Sequence, residues 1–350
     1  MRMTDETTTP SPPGTSGDPA VEVTALRQRY GEFEAVRGIS FTVRPGELFA
    51  LLGTNGAGKT TTMEVLEGFR PAGGGSVRVL GLDPYAQRRR LRPRIGIMLQ
   101  EGGFLGDLTV AETVAAWQGM AADVGHEPLP GAIELVGLAD KAKTRVRQLS
   151  GGQKRRLDLA LAVVSRPEVL FLDEPTTGMD PEARRDTWTV IGSLKAAGTT
   201  ILLTTHYLEE AERLADHLAI MHRGEIHSAG TVDEVVADAG DRITFRLPVQ
   251  PETLRARPGG DLPFLAGTAP TLTYTDGSAT VTYTLPGTSS GSPPNGSPGP
   301  GTDVPPAARA HAALATLFAW AAGHDLTLER LEVRRGTLED AFLRVVGEAR

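Results

Sequence analysis

The stretch Leu48-Phe49-Ala50-Leu51-Leu52-Gly53-Thr54-Asn55-Gly56-Ala57-Gly58-Lys59-Thr60-Thr61 decides the fold. Its first five residues are an unbroken apolar run, which predicts a strand buried on both faces. Gly53 to Thr61 then fits the phosphate-loop pattern, with glycines at both required places, a lysine and a hydroxyl residue. Each residue type has a physical task. Glycines let the backbone curl so that consecutive N–H groups turn inward around a β-phosphate. Lys59 brings a point charge to the β- and γ-phosphates, and Thr60 offers its hydroxyl to Mg²⁺. From Thr60 to Leu66 the pattern is helical, with Met63 and Leu66 on one face, so the phosphate meets a helix N-terminus. Strand, loop and helix in this order argue against an incidental Gly-rich turn. Alone, the loop specifies only a nucleotide, because kinases, GTPases and ATPases share it.

Further along, Val169-Leu170-Phe171-Leu172 predicts a second buried strand with Asp173 and Glu174 at its tip. Asp173 is placed to hold Mg²⁺ through its water shell, and Glu174 stands one residue nearer the attacking water. A carboxylate pair directly after a buried strand differs from solvated surface charge. Ile95-Gly96-Ile97-Met98-Leu99 reads as another buried strand, delivering Gln100 at the end where ligands sit in open α/β sheets. Its neutral amide can bond to Mg²⁺-bound water and sense the γ-phosphate. Thr200 to Thr205 is a further buried strand ending in His206, which can donate to the γ-phosphate and hold the attacking water. In Leu149-Ser150-Gly151-Gly152-Gln153, Ser150 caps a helix running through Leu157, Leu161 and Val164, and two glycines let a phosphate approach the backbone. As a free-standing pattern this is any Gly-Gly turn before a helix; its neighbours make it specific.

Length and composition set the frame. A chain of 350 residues has room for two domains. At 40% hydrophobic and 23% charged it reads as globular, with no apolar stretch long enough to span a bilayer and no apolar core for a signal peptide in Met1 to Ala20. A formal charge of −7 argues against broad nucleic-acid binding. With no cysteine, disulfides and thiolate metal sites are excluded.

Residues 1–20, rich in Thr, Pro, Ser and Gly, read as a disordered tail. Val21 to Leu26 alternates as a strand, and Ile39 to Val43 forms a second, ended by Pro45-Gly46. Tyr30 either stacks on a purine ring or packs at a strand end. Ser76 to Leu80 is a short strand, and Arg88, Arg89, Arg90, Arg92 and Arg94 form a basic cluster, read as a solvated helix face. Glu101 to Lys143 reads as mainly helical: Thr109 and Glu112 make a capping box, and Val110, Val114 and Trp117 repeat at helical spacing. The histidines other than His206 show no metal spacing.

With these elements in this order, the chain resembles the ATP-binding subunit of an ABC transporter from about Val21 to about Val236. In that family's terms Tyr30 is similar to the adenine-stacking aromatic, and Gly53, Asn55, Gly56, Ala57, Gly58, Lys59, Thr60 and Thr61 to Walker A. Gln100 resembles the Q-loop, and Leu149, Ser150, Gly151, Gly152 and Gln153 match the signature motif residue for residue. Val169 to Asp173 resembles Walker B with Glu174 the catalytic base, Asp180 the D-loop aspartate and His206 the switch histidine. Met179 stands where the family usually has leucine. The ending Gly336 to Leu343 is similar to that of daunorubicin-resistance-type ATPases, which serve bacterial drug and antibiotic exporters.

The resemblance implies an α/β phosphate-loop NTPase core over 21–236 with a helical subdomain at about 101–165. Beyond it, 237–350 reads as a small accessory α+β domain. There Ile243 to Leu247 alternates as a strand, and Thr271 to Thr275 and Ser278 to Leu285 flank the hairpin signal Asp276-Gly277. A disordered Pro/Gly/Ser insertion at 286–306 follows, then an Ala-rich helix, a strand from Leu326 to Val333, and a helix capped by Thr337 with Asp340. The resemblance also implies ATP and Mg²⁺ as cofactors and a head-to-tail homodimer in which Ser150 meets the nucleotide of the other subunit. It further implies a separate membrane-spanning permease and a place at the cytoplasmic face of the cell membrane. Two other readings stay open. One is a non-transport ABC ATPase of translation or DNA repair, which usually carries two cassettes or a long coiled coil. The other is a non-hydrolysing ATP-binding regulator, against which Glu174 and His206 speak.

Overall fold

A computed structural model describes residues 17–99, 103, 105–120, 129–247, 262–275, 278–285 and 306–347. Gln100, the Asp276-Gly277 turn, residues 1–16 of the expected tail and 286–305 of the expected insertion lie outside the described residues. The chain divides into two compact units. The first comprises Met1–Ala50, Asn55–Thr205 and Arg223–Glu225, and the second Leu51–Thr54, His206–His222 and Ile226–Arg350.

In the first unit, β1 (Val21–Tyr30), β2 (Phe33–Val43) and β4 (Gly74–Val79) form an antiparallel sheet in the order β2-β1-β4. Alternation decides its inward face: Val21, Val23 and Leu26 are buried while Glu22 and Thr24 are exposed. The register slips after Val23, where Ala25 takes a φ of 49°, so a bulge returns Leu26 to the core. Ala20, expected in the tail, is already buried, and its amide donates to Val43 O at 2.8 Å.

The core of this unit is parallel. β5 (Ile95–Met98), β6 (Val169–Asp173) and β7 (Thr200–Thr205) lie side by side, with Ile95 opposite Val169 and Val169 opposite Thr200. β3 (Leu48–Gly53) follows β7 in the order, and Ile201 donates to Glu47 O at 2.8 Å. Strands β3, β6 and β7 are buried at every position, as continuous apolar runs require. Helix α1 (Lys59–Leu66) leaves the loop after β3. The short α2 (Arg88–Leu91) and a 3-10 turn over Arg92–Arg94 carry the basic cluster. Arg94 pairs with Glu168 at 2.5 Å and Arg92 lies over the Phe69 ring at 4.7 Å, so those arginines serve the surface of the fold.

Between β5 and β6 come α3 (Val110–Met120), α4 (Leu129–Leu135) and α5 (Gly151–Val163), which pack on one another. The capping box at Thr109 is formed: its amide and hydroxyl donate to Glu112 Oε2 at 2.8 and 2.9 Å, and Glu112 N donates back to Thr109 Oγ1 at 3.2 Å. One expectation shifts here. The strand expected to reach Leu99 ends at Met98, and Leu99 is exposed because the chain leaves the sheet there. Trp117, at helical spacing with the buried Val110 and Val114, is itself 40% exposed. It looks onto an apolar cavity of about 390 Å³ that Phe69, Ile97, Leu99 and Leu161 also line. α6 (Pro181–Ala196) completes the unit and buries Trp188 and Ile191.

The second unit contains the end of β3, then β8 (His217–His222) and β9 (Glu225–Thr231) in the order β3-β8-β9. It also holds α7 (Leu208–Leu214), α8 (Val232–Ala239), α9 (Pro306–Gly323) and α10 (Leu338–Gly347). An antiparallel sheet of β10 (Arg242–Leu247), β11 (Thr271–Thr275), β12 (Ser278–Thr284) and β13 (Glu329–Arg334) takes the order β11-β12-β10-β13. The expected hairpin pairs Thr275 with Ser278. One sheet face is apolar: Ile243, Phe245, Leu247, Val281 and Tyr283 form a core with Ala313 and Leu317 of α9. The C-terminal motif is a docked amphipathic helix. Thr337 caps α10 against Asp340, and Leu338 and Ala341 are buried where α10 packs on α8 and β8.

Among the described residues no helix is long and apolar enough to cross a membrane. Phe245 is fully buried and stacks near Tyr283, with ring centroids 6.2 Å apart. Phe245→Ala should therefore cost about 3–5 kcal/mol of this core, seen as an earlier thermal transition; an unchanged melt would mean that this core does not hold the sheet.

Candidate functional site

The loop between β3 and α1 has the conformation its glycines allow. Gly56 takes a φ of 77° and Gly58 of 105°, in the left-handed region where a β-carbon is strained. Gly58 caps α1, and its carbonyl accepts from both the amide and the hydroxyl of Thr62 at 2.9 Å. The sharp turn sets Lys59 and Thr60 at the first positions of the helix, beside the tip of β6.

Lys59 is buried, and its Nζ lies 3.8 Å from Glu174 Oε1. Burial pulls its ammonium below the usual lysine range, and the charges of Glu174 and Asp173 oppose that pull. Asp173, the last residue of β6, is also buried, which raises its carboxyl above the ordinary range. Hydroxyls of Thr204 and Thr60 both bond to its carboxylate and partly offset the burial. Glu174 follows with a φ of 49°, an uncommon backbone for a non-glycine residue. It is held by neighbours: its amide donates to Thr204 O and Oγ1 at 3.1 Å, and its Oε2 accepts from Thr177 Oγ1 at 3.0 Å. The left-handed backbone ends the extended run of β6 directly before this residue.

Arg155, on α5, was not singled out from the sequence. Its guanidinium donates to Leu99 O at 2.5 Å, to Asp173 O at 2.9 Å and to Glu174 O at 2.8 Å. Asp158 lies 3.7 Å away, and burial lowers the arginine from its usual range. One side chain therefore ties the ends of β5 and β6 to the helix that begins at Ser150. The available signal was a charge four residues after Gly151 and four before Leu159, on the stripe that packs inward.

The remaining candidates are placed as follows. Ser150 caps α5 through a reciprocal box: its Oγ accepts from Gln153 N at 3.2 Å, and Gln153 Oε1 accepts from Ser150 N at 2.9 Å. Ser150 and Gly151 are exposed. Asp180 caps α6, accepting from Ala183 N at 2.9 Å and Glu182 N at 3.1 Å, and these amides, Ala183 first, hold its carboxyl below the usual range. Tyr30 reaches α1: its hydroxyl donates to Glu64 Oε2 at 3.1 Å and lies 3.4 Å from Thr61 Oγ1, while Arg70 covers the ring at 5.0 Å. His206, in the second unit, follows β7 directly, its ring 4.1 Å from that of Tyr207. The structure thus brings together Lys59, Thr60, Asp173 and Glu174, and makes Ser150 and Asp180 helix caps.

The donor set suits a hard cation. A hydroxyl and a carboxylate oxygen, Thr60 and Asp173, are the ligands Mg²⁺ takes when phosphates and water complete its octahedron. Among the described residues no cluster of three His, Cys, Asp or Glu stands ready to hold a metal by itself. The buried Lys59 beside left-handed glycines suits an anion in the loop.

A second buried carboxyl lies behind the loop. Glu67, at the C-terminal end of α1, is 2% exposed, and its Oε1 has no hydrogen-bond partner among the described residues. Burial, then the charge of Asp173, pushes its pKa from 4.5 up to about 8, against the pull of Arg92. A raised folded-state value means that the folded chain keeps a proton which the unfolded chain releases. Stability is then greatest below pH 4.5 for this group and falls as pH rises towards about 8. In urea unfolding without nucleotide or Mg²⁺, the midpoint should drop across that range in the natural chain and stay flatter in Glu67→Gln; parallel profiles would show that Glu67 is ionised throughout.

The model of the ABC transporter family matches residues 36–177. A Nod factor export ATP-binding protein I of Ralstonia nicotianae is 38% identical over 292 residues, covering 79% of this chain and 91% of that protein. The daunorubicin resistance ATP-binding protein DrrA3 of Streptomyces coeruleorubidus is 40% identical over 234 residues, covering 66% of this chain and 74% of that one. A solved structure described as the ATP binding subunit of an ABC transporter superposes with a TM-score of 0.57 at 28% identity, covering 62% of this chain and 91% of that one.

Proposed function

The chain belongs to the ABC transporter family of ATP-binding proteins, and from that membership we propose that it drives an exporter as a head-to-tail pair acting on a separate membrane-spanning permease. It is an ATPase, and its relatives are named for Nod factor export and daunorubicin resistance.

In this reading the triphosphate lies along the loop from Gly53 to Thr61, with Lys59 at its β- and γ-phosphates. Thr60, Asp173 and Gln100 hold Mg²⁺, which supplies neutralising charge to the phosphates when bound. Glu174 accepts a proton from the attacking water as the water oxygen bonds to the γ-phosphorus and the bond to the leaving ADP oxygen breaks. Thr177 fixes one carboxylate oxygen, leaving the other towards Lys59 and the water. His206 donates to the γ-phosphate, and Tyr30 stacks on the base.

One observation carries the paired arrangement. The helix that starts at Ser150 has an exposed N-terminus, while its first turns send Arg155 inward to the carbonyls of Asp173 and Glu174. An exposed, capped, Gly-rich helix mouth favours an anion brought by another molecule. Each chain thus lends Ser150, Gly151, Gly152 and Gln153 to its neighbour's γ-phosphate, with Asp180 at the seam. Hydrolysis removes the bridge and the pair loosens. The apolar cavity beside Trp117 and Leu99 is the surface we assign to the permease, which would set the chain at the cytoplasmic face of the membrane.

Glu174→Gln should keep ATP binding yet lower turnover by roughly 10²–10⁴-fold; near-normal turnover removes Glu174 from the base role. In that background ATP should add a nucleotide-dependent association seen by sizing chromatography, and adding Ser150→Arg should abolish this response to ATP while nucleotide binding persists. A response to ATP that survives Ser150→Arg would place the second phosphate contact elsewhere.

A further inference from the structure

The C-terminal sheet has two outer edges, and they are built differently. β13 is charged at Glu329, Arg330, Glu332 and Arg334, four of its six positions. Its register against β10 slips between Thr244 and Arg246, and Arg330 takes a φ of 52°. Charge and bulges are the devices by which proteins stop a strand edge from recruiting another chain. The opposite edge, β11, has neither. Its five residues, Thr271-Leu272-Thr273-Tyr274-Thr275, carry no charge and no proline, and most are strong β-formers. The register against β12 is unbroken from Thr271–Thr282 to Thr275–Ser278. Thr271, Thr273 and Tyr274 are exposed, Tyr274 by 38%. Among the described residues no strand pairs with its outer side.

The plain edge is also self-complementary. Leu272 lies opposite Val281 and Tyr274 opposite Ala279, so both belong to the apolar face, and Thr271 and Thr273 fall on the polar one. Two copies laid antiparallel about Thr273 would set Leu272 of each against Tyr274 of the other, an aliphatic–aromatic cross-strand pair made twice by symmetry. On the polar side the two Thr273 residues would meet, and no charge would oppose another. We propose that β11 is a homotypic docking edge through which two copies of this chain join their C-terminal sheets, with or without nucleotide. The occupant follows from the pattern of the stretch, since Thr-Leu-Thr-Tyr-Thr and its reverse both alternate threonine with a large side chain, and neither carries charge.

The absence of cysteine makes a clean test possible, because Thr273→Cys introduces a single thiol. Opposed Cα atoms in an antiparallel pair lie about 4.5–5.5 Å apart, within the span a disulfide bridges. The full chain, with nucleotide omitted and Mg²⁺ chelated, should sediment as a concentration-dependent dimer. Mild oxidation should link Thr273→Cys into a covalent dimer and leave Val333→Cys, on the guarded edge, unlinked. Thr273→Lys sets two ammonium groups face to face and should weaken this dimer by about tenfold or more, with circular dichroism and melting temperature unchanged. Three results would each overturn the proposal: a chain that stays monomeric at tens of micromolar, linking of Thr273→Cys no faster than Val333→Cys, or a dimer untouched by Thr273→Lys. The ATP-driven pairing proposed above is read apart from this contact: the edge is followed with nucleotide omitted, and the response to ATP is followed in the Thr273→Lys background.

Discussion

A single guanidinium joins the chemistry to the frame. Arg155 is buried and gives hydrogen bonds to three main-chain carbonyls, those of Leu99, Asp173 and Glu174. Those carbonyls sit where two parallel strands end and lose their ladder partners, so the arginine satisfies groups that burial would otherwise leave costly. Because it comes from α5, it also makes the helix mouth at Ser150 rigid with respect to the Asp173-Glu174 pair. Any shift of that helix must be felt at the carboxylates, and any change at the carboxylates must be felt at the helix mouth. In the paired arrangement proposed above, that coupling would link the base Glu174 to the contact with the neighbouring chain.

The site itself concentrates charge in a dry place. Lys59, Asp173 and Arg155 are buried around the partly exposed Glu174, and burial raises Asp173 while it lowers Lys59 and Arg155. Each charged form is disfavoured by desolvation and partly restored by its neighbours. An arriving triphosphate adds negative charge where there is little water to screen it, so its attraction to Lys59 is stronger than at an open surface. The left-handed backbone of Glu174 ends the strand at this cluster, and Thr204 and Thr177 hold the residue there.

The C-terminal unit solves a different problem. Its small sheet buries one apolar face against α9 and leaves two edges. Guarding one edge with charge and a bulge while leaving the other plain gives the unit a direction in which to associate. The last helix, α10, is fastened by the Thr337–Asp340 box, the 2.9 Å ion pair of Asp340 with Arg242 and a hydrogen bond from Arg344 to Asp238 O. The ending that resembles the drug-exporter branch is thus structural mortar for its own unit.

How much was legible beforehand follows from the range of the forces involved. Strands β3, β6 and β7, the loop at Gly56 and Gly58, and the caps at Thr109, Ser150 and Thr337 depend on residues within a few positions of one another. The sequence by itself therefore determined them. It also determined the family, because Lys59, Ser150, Asp173, Glu174 and His206 stand in a fixed order between recognisable strands. Only the tertiary structure decided what depends on distant partners. Nothing local marks Arg155 as the partner of Leu99 O, or Thr204 as the support of Asp173, for those contacts span 56 and 31 residues. Trp117 has helical spacing but faces a cavity, and the bulge at Ala25 interrupts an alternation that reads as regular. Burial, edge position and the pairing of buried charge are properties of the assembled chain, because they depend on which segments meet.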